Sequence, residues 1–86
     1  MYQQIIFEEG KEPRINTSCQ YIRHIVINDK NGKQLEVPIQ EFIDARGEVF
    51  YAYFIAYLGK EPSREEIHIA IDGLKPIGEK FDMRDS

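Results

Sequence analysis

The apolar positions of this 86-residue chain change their spacing between its two halves. In the first half, β-branched and aromatic residues cluster in short runs of the kind that form strands. Residues 2–8, 21–28 and 34–39 carry this pattern. The second half holds a dense aromatic run over 49–58, followed by apolar residues spaced by three and four. We therefore expect strands first and helices afterwards.

Two of the expected strands are separated by a turn sequence that predicts how they pair. Asn31-Gly32 favours a two-residue hairpin loop, because both central positions of a type I′ turn need positive φ. In that register Val26 lies opposite Val37. A one-residue slip would exchange the two faces of the hairpin. The face expected toward the core then consists of Ile22, His24, Val26, Leu35, Val37 and Ile39.

The aromatic run is predicted to be a helix that begins near Gln40. On a wheel of about 100° per residue it forms one broad apolar face. That face consists of Phe42, Ile43, Val49, Phe50, Tyr53, Phe54 and Tyr57. Gly59 fits the position just past a helix C-terminus, where positive φ is required. A strand over 48–58 is the alternative. Both of its alternating sets of residues are apolar, and aromatic residues favour strands.

A second helix is predicted from its start signal. Ser63 fits the N-cap position, and Glu66 three residues later completes a capping box. Gly73 and Pro76 are expected to end the helix. Its apolar stripe recurs at helical spacing in Ile67, Ala70, Ile71 and Leu74.

These elements predict an α+β fold in one small domain, residues 1–86. A small antiparallel sheet of about three strands, including the hairpin over 21–39, is followed by a helical hairpin packed on one face. Residues 9–20 show no clear period and are expected to form a loop. The tail from about residue 76 is expected to be irregular.

Composition narrows the function classes. The net charge of −4 and the isoelectric point near 5.1 argue against a dedicated nucleic-acid binder. Cys19 is the one cysteine, so no intramolecular disulfide can form. Residues 1–10 lack a signal-peptide pattern, and no apolar run approaches the roughly 20 residues that span a bilayer. We therefore expect a cytoplasmic protein without a membrane partner.

No catalytic, metal or nucleotide signature emerges from the residues. Cys19, His24 and His68 are the only soft metal ligands, and the Cys19–His24 spacing has no second half to complete a four-ligand site. The six glycines are scattered and form no phosphate loop. We expect no enzyme, no metal and no cofactor. A small enzyme or small-ligand pocket built around Tyr21, Tyr51 and His24 is a third hypothesis.

The first predicted helix carries more apolar surface than its core face needs. Tyr51, Ile55 and Leu58 recur at i, i+4 and i+7 on the side that Asp44 and Glu48 mark as polar. Exposed apolar patches on small proteins mark contacts with other proteins, and tyrosine is a favoured anchor. We expect a non-enzymatic protein–protein interaction or regulatory module. It would be homodimeric, or bound to another protein, through Tyr51, Ile55 and Leu58.

The alternative is a winged-helix-like nucleic-acid binder. Two helices joined by a short break resemble a helix-turn-helix, and the hairpin tip could act as a wing. Glu65 and Glu66 in the second helix would repel phosphate, as does the net charge. The alternative would be supported if its basic residues converged on one surface. Those residues are Arg23, Lys30, Lys33, Arg46 and Lys60.

Overall fold

In the computed structural model, the described residues are 1–82, and the side chains of Arg46, Phe81 and Asp82 are left out of the description. Strands predominate, and one short helix follows the sixth strand. The predicted α+β fold with a helical hairpin is therefore wrong. The elements are β1 (Tyr2–Glu8), β2 (Arg14–Ser18), β3 (His24–Asn28), β4 (Gln34–Pro38), β5 (Gln40–Arg46), β6 (Val49–Leu58), α1 (Arg64–Leu74) and β7 (Glu79–Asp82).

Five strands form the main sheet, in the order β2-β1-β6-β5, with β7 also paired to β6. β6 is the central strand. β5 runs antiparallel along one of its edges. The other edge is shared: β7 pairs antiparallel with the first part of β6, and β1 pairs in parallel with the last part. A second sheet consists of the β3–β4 hairpin alone.

The β5–β6 hairpin takes the place of the first predicted helix, so that prediction is wrong and the strand alternative is confirmed. Arg46 pairs with Val49 across a two-residue loop, and Gly47 has φ of 69° at the first loop position, where a type II′ turn requires glycine. Gly59, with φ of 93°, follows the end of β6 instead of capping a helix.

The error has a physical cause in the position of β6. One of its faces packs against α1 and the other against the β3–β4 hairpin, so both alternating sets are apolar. A strand buried on both faces reads as a continuous apolar run, which periodicity alone cannot separate from a buried helix. The aromatic and β-branched content of the run was the better indicator.

The β3–β4 hairpin is confirmed as a hairpin, but its predicted register is wrong by one residue. Ile25 pairs with Val37 and Ile27 with Leu35, so these residues face the core. Val26 faces outward and is 58% exposed. His24 also faces outward, so the predicted core face is wrong for the β3 residues, whereas Val37 and Ile39 face the core as predicted.

The slip follows from the loop, which has three residues instead of two. Asp29 N donates to the carbonyl of Lys33 (2.9 Å), and Gly32 N donates to the carbonyl of Asp29 (3.0 Å). Gly32 has φ of 80°, as a turn that ends in a left-handed residue requires. The Asp29 carboxylate also accepts from the amides of Asn31 (2.8 Å) and Lys33 (2.9 Å). This side chain selects the longer loop.

The second predicted helix is confirmed as α1. Ser63 is the N-cap, its hydroxyl accepts from Glu66 N (3.1 Å), and the capping box is complete. The helix continues through Gly73 to Leu74, and Lys75 forms the left-handed C-cap with φ of 53°. The helix therefore ends between Gly73 and Pro76, as predicted.

Two segments that were expected to be irregular contain strands. β2 lies within the predicted loop 9–20, and β7 lies within the predicted tail. Residues 83–86 of that tail lie outside the described residues. β2 was missed because its sequence is mostly polar and lacks a strand pattern. Two of its polar side chains, Asn16 and Ser18, hydrogen-bond to Gln4 of β1.

The apolar side chains form two clusters on opposite faces of the five-stranded sheet, because neighbouring strand residues face opposite ways. Ile5 belongs to the cluster beneath α1, and Ile6 belongs to the cluster beneath the β3–β4 hairpin. α1 contributes Ile67, Ala70 and Ile71 to the first cluster. The hairpin contributes Ile27 and Val37 to the second.

Candidate functional site

The three residues predicted to form a partner surface do not lie together. Tyr51 and Ile55 face α1, and Ile55 is only 5% exposed within that core. Leu58 is on the opposite face, packed against the cluster beneath the β3–β4 hairpin. On a helix the three residues would share one side, whereas the alternation of side chains along a strand places Leu58 on the face opposite Tyr51 and Ile55. The three residues therefore form no common surface patch, and their role in partner binding stays a prediction.

The five basic residues of the alternative are also spread out. Lys30 and Lys33 flank the β3–β4 loop, while the carbonyl of Arg23 accepts from Ile39 N at the other end of that hairpin. Arg46 and Lys60 lie at opposite ends of β6, roughly 30 Å apart at about 3.3 Å per residue. Only one helix occurs within residues 1–82. The nucleic-acid interpretation stays a prediction.

The residues of the ligand-pocket hypothesis occupy different surfaces. Tyr21 packs edge-on against Phe54 with ring centroids 5.7 Å apart, on the sheet face opposite Tyr51. His24 pairs with Glu36 (3.7 Å) on the outer side of the β3–β4 hairpin. These groups therefore do not line one pocket.

His68 and Cys19 are equally separated from other candidate ligands. The His68 ring packs edge-on against Phe42 with centroids 5.4 Å apart, on the α1 side of the sheet. Cys19 is an exposed thiol after β2. Among residues 1–82, no three His, Cys, Asp or Glu side chains lie close enough to hold a metal ion.

A groove of about 530 Å³ lies between α1 and the turn that joins β1 to β2. We call it the α1 groove. The loop that precedes α1 closes one side of it. Two of its apolar residues reach the surface, since Ile69 is 65% and Leu74 36% exposed. The apolar lining consists of Phe7, Pro13, Pro62, Ile69, Ala70, Gly73 and Leu74.

The α1 groove exists because α1 has more apolar surface than the sheet covers. Ile67 and Ile71 are buried against the sheet, whereas Ile69, between them in sequence, points to the other side of the helix. Gly73 follows Ile69 by four residues and so lies on the same side. A Cβ atom on Gly73 would have no neighbour within 4 Å, so the groove is open at this point.

Charged side chains surround this apolar floor, five of them carboxylates and two of them ammonium groups. Glu8 forms ion pairs with Lys11 (3.7 Å) and with Arg14. Glu66 accepts hydrogen bonds from the N–H (3.4 Å) and hydroxyl (3.2 Å) of Ser63. The full set is Glu8, Glu9, Glu12, Glu61, Glu66, Lys11 and Lys60.

Three of the carboxylates have neither an ion pair nor a hydrogen bond among the described residues, unlike Glu8 and Glu66. Within residues 1–82, no ion pair or hydrogen bond engages the carboxylates of Glu9, Glu12 and Glu61. Glu9 and Glu12 are on the β1–β2 turn, and Glu61 is on the loop before α1. The mouth of the α1 groove therefore carries negative charge around an apolar floor.

A second surface with binding potential is the open edge of β5. β5 pairs with β6 along one side, and no other strand of residues 1–82 pairs along the opposite side. The hairpin loop closes at Arg46 and Val49, and alternate residues from there point their backbone groups to opposite sides. Glu41, Ile43 and Ala45 therefore direct N–H and C=O groups to the open edge. Ile43 is 41% exposed there.

No protein-family model, curated protein or solved structure matches the chain. Within residues 1–82, no helix has the length and apolar composition that crossing a bilayer requires. The α1 groove and the open edge of β5 are the surfaces from which function is inferred. Sequence patterns missed the groove. Ile69, outside the apolar stripe of the helix, was its one signal in the sequence.

Proposed function

We propose that this chain is a non-enzymatic protein–protein interaction module that works as a cytoplasmic homodimer, paired along the open edge of β5. The open edge of this seven-residue strand, with Ile43 exposed on it, carries the proposal. Unpaired N–H and C=O groups along an edge are a ready template for another strand. The exposed thiol of Cys19 suits a reducing compartment.

β5 is longer than the other edge strands of the structure. Proteins blunt edges with short strands, prolines and outward charges. β2 has five residues and begins with Arg14, and β4 ends with Pro38. β5 is longer and contains no proline, although it carries an exposed Glu41 and a buried Asp44. Its length and the exposed Ile43 make it an edge suited to pairing.

The geometry of β5 also suits pairing with itself. A two-fold axis at Ile43 would place Ile43 against the same residue of the second copy, and Glu41 against Ala45 of the second copy. All three residues direct backbone groups to the edge, so this register would form about six hydrogen bonds. Such an interface uses the same surface on both copies, as two-fold dimers do. The two exposed isoleucines would cover each other.

Light scattering of the purified protein tests the homodimer. We expect a mass of twice 10.1 kDa for the wild type and a mass of 10.1 kDa for Ile43→Lys, because two facing ammonium groups would repel. Val26→Lys is the matched control, since Val26 is also an exposed β-branched residue but lies on the β3–β4 hairpin. A monomeric wild type at all accessible concentrations would reject the homodimer.

A further inference from the structure

We propose that the α1 groove binds a short segment of another protein that carries both apolar and cationic side chains. This inference deepens the protein-binding function proposed above and rests on it. It assigns a second surface, separate from the β5 edge, and it states the chemistry of the partner. The two surfaces are formed by different elements, so each can be tested alone.

The apolar part of the partner follows from the floor of the groove. Ile69 and Leu74 remain exposed beside the buried side chains of Phe7 and Ala70. The volume of about 530 Å³ falls within the roughly 300–1,000 Å³ of clefts that bury compact ligands. Apolar side chains seated there would remove Ile69 and Leu74 from water.

The cationic part of the partner follows from the rim. Glu9, Glu12 and Glu61 stand around the mouth without counter-ions among the described residues. Lysine or arginine side chains that flank an apolar segment would meet these carboxylates. An acidic segment would be repelled, because like charges brought together at an interface are costly. Five carboxylates outnumber the two ammonium groups of the rim, so the rim favours a cationic partner.

The exposed basic loop of the β3–β4 hairpin of a second copy does not match the groove. Lys30 and Lys33 lie at an exposed loop tip, but the residues between them are Asn31 and Gly32, which offer no apolar side chain. That loop supplies the charge without the apolar part. Lys75 and Ile77 of a second copy are both exposed and carry both features. Binding of a second copy is therefore an outcome of the test below, and the proposed occupant is a segment of a different protein.

Gly73 provides a direct way to block the groove. The space at its Cβ position is empty, and Gly73 is inside α1, where any replacement by alanine or leucine favours the helix. Gly73→Leu would fill the groove, whereas Gly73→Ala adds one methyl group. Both variants should fold, with thermal midpoints at or above that of the wild type. The pair separates occlusion of the groove from a change in helix stability.

The probe is a synthetic, fluorescently labelled peptide of alternating leucine and lysine, titrated with the full chain and followed by anisotropy. A leucine–glutamate peptide and a serine–lysine peptide are the controls for charge and for apolarity. We expect the leucine–lysine peptide to bind most tightly. Gly73→Leu should weaken its binding by roughly tenfold or more, while Gly73→Ala should leave it nearly unchanged.

The rim is tested separately at low salt. Glu9→Gln, Glu12→Gln and Glu61→Gln should each weaken binding by roughly twofold to fivefold, as removal of an exposed charge pair does. Glu65→Gln is the matched control, because Glu65 is an exposed glutamate of α1 that does not line the groove. Amide chemical shifts should change for Ile69 and Gly73 and not for Ile43.

The outcomes are decisive in either direction. Equal affinity for the leucine–glutamate peptide, an unaffected Gly73→Leu variant, or absence of binding would overturn the inference. Shifts at Ile69 that appear on raising the protein concentration without peptide would assign the groove to a second copy instead, and would also overturn it. A dimeric mass with no peptide binding would leave the proposed homodimer standing. Peptide binding by a monomeric chain would reject the homodimer and leave the groove inference standing.

Discussion

A Cβ atom placed on Gly78 would lie 2.8 Å from Cε1 of Tyr53. The chain between α1 and β7 therefore passes directly over the ring of a buried tyrosine of the central strand. Just before this point, Ile77 N donates to Oε1 of Gln3 (2.7 Å). Gly78 is the residue that allows β7 to reach the edge of β6 beside β1.

We predict that Gly78→Ala lowers the free energy of unfolding by about 1–3 kcal/mol, because overpacking forces either the Tyr53 ring or the backbone to move. Gly73→Ala is the matched control. Its added methyl group meets no atom within 4 Å, and it should stabilise α1 by about 0.5–1 kcal/mol. Urea unfolding at one protein concentration measures both. Equal effects of the two substitutions would show that the Tyr53 contact is not tight.

The start of α1 could be predicted because its determinants are local. Ser63 and Glu66 are three residues apart and satisfy each other's backbone and side-chain groups in any context that permits a helix. The residue that caps the C-terminus of the helix could not be predicted from the sequence. Lys75, a residue without the conformational freedom of glycine, adopts the left-handed C-cap conformation, and its N–H donates to the carbonyl of Ile71 (2.9 Å).

β6 and the register of the β3–β4 hairpin could not be predicted from local pattern. Both alternating sets of β6 are apolar because α1 covers one face of the sheet and the β3–β4 hairpin covers the other, which the local sequence does not indicate. In the three-residue loop the Asp29 carboxylate accepts from two backbone amides, contacts that stabilise this loop and that the Asn-Gly pair alone does not reveal. A turn dipeptide favours one loop length, and hydrogen bonds from a neighbouring side chain can favour another.

The α1 groove was beyond the reach of sequence reasoning for a related reason. Its two walls, the β1–β2 turn and α1, are separated by most of the chain, and no periodic signal links Glu12 to Leu74. The individual glutamates resembled ordinary surface residues. Ile69 was visible as an apolar residue outside the stripe, but only the fold shows that Gly73 leaves space beside it.

We predict that Ile55→Glu unfolds the protein, in contrast to the selective loss of a dimer expected for a residue at a partner surface. Ile55 is 5% exposed between β6 and α1, so the substitution would bury an unpaired carboxylate. The milder Ile55→Ala should cost about 2–5 kcal/mol of unfolding free energy.

Val26→Ala is the control for the loss of methyl groups from a strand residue. Val26 is 58% exposed, and its truncation should change the free energy of unfolding by no more than about 0.5 kcal/mol. Far-ultraviolet circular dichroism shows whether Ile55→Glu is folded, and urea unfolding ranks the two alanine variants. A folded, monomeric Ile55→Glu would instead support Ile55 as part of a partner surface.

The last prediction concerns Gln4, which is 1% exposed and holds β2 to β1 through its side chain. Its Oε1 accepts from Nδ2 of Asn16 (2.8 Å), and its Nε2 donates to Oγ of Ser18 (3.0 Å). Ser18 Oγ in turn donates to the carbonyl of Gln20 (2.8 Å). A buried amide with both of its ends satisfied stabilises the pairing, whereas removal of one partner leaves the other without a hydrogen bond.

We therefore predict that Gln4→Met and Asn16→Ala each cost about 1–3 kcal/mol and that their effects are not additive. The double variant should lose less than the sum of the two, with a coupling energy of about 1 kcal/mol, because each single change already breaks the shared bond. Amide hydrogen exchange should quicken in β2 before it quickens in β6, since β2 is the edge strand. Additive losses would mean that the Gln4 and Asn16 amides contribute independently of each other.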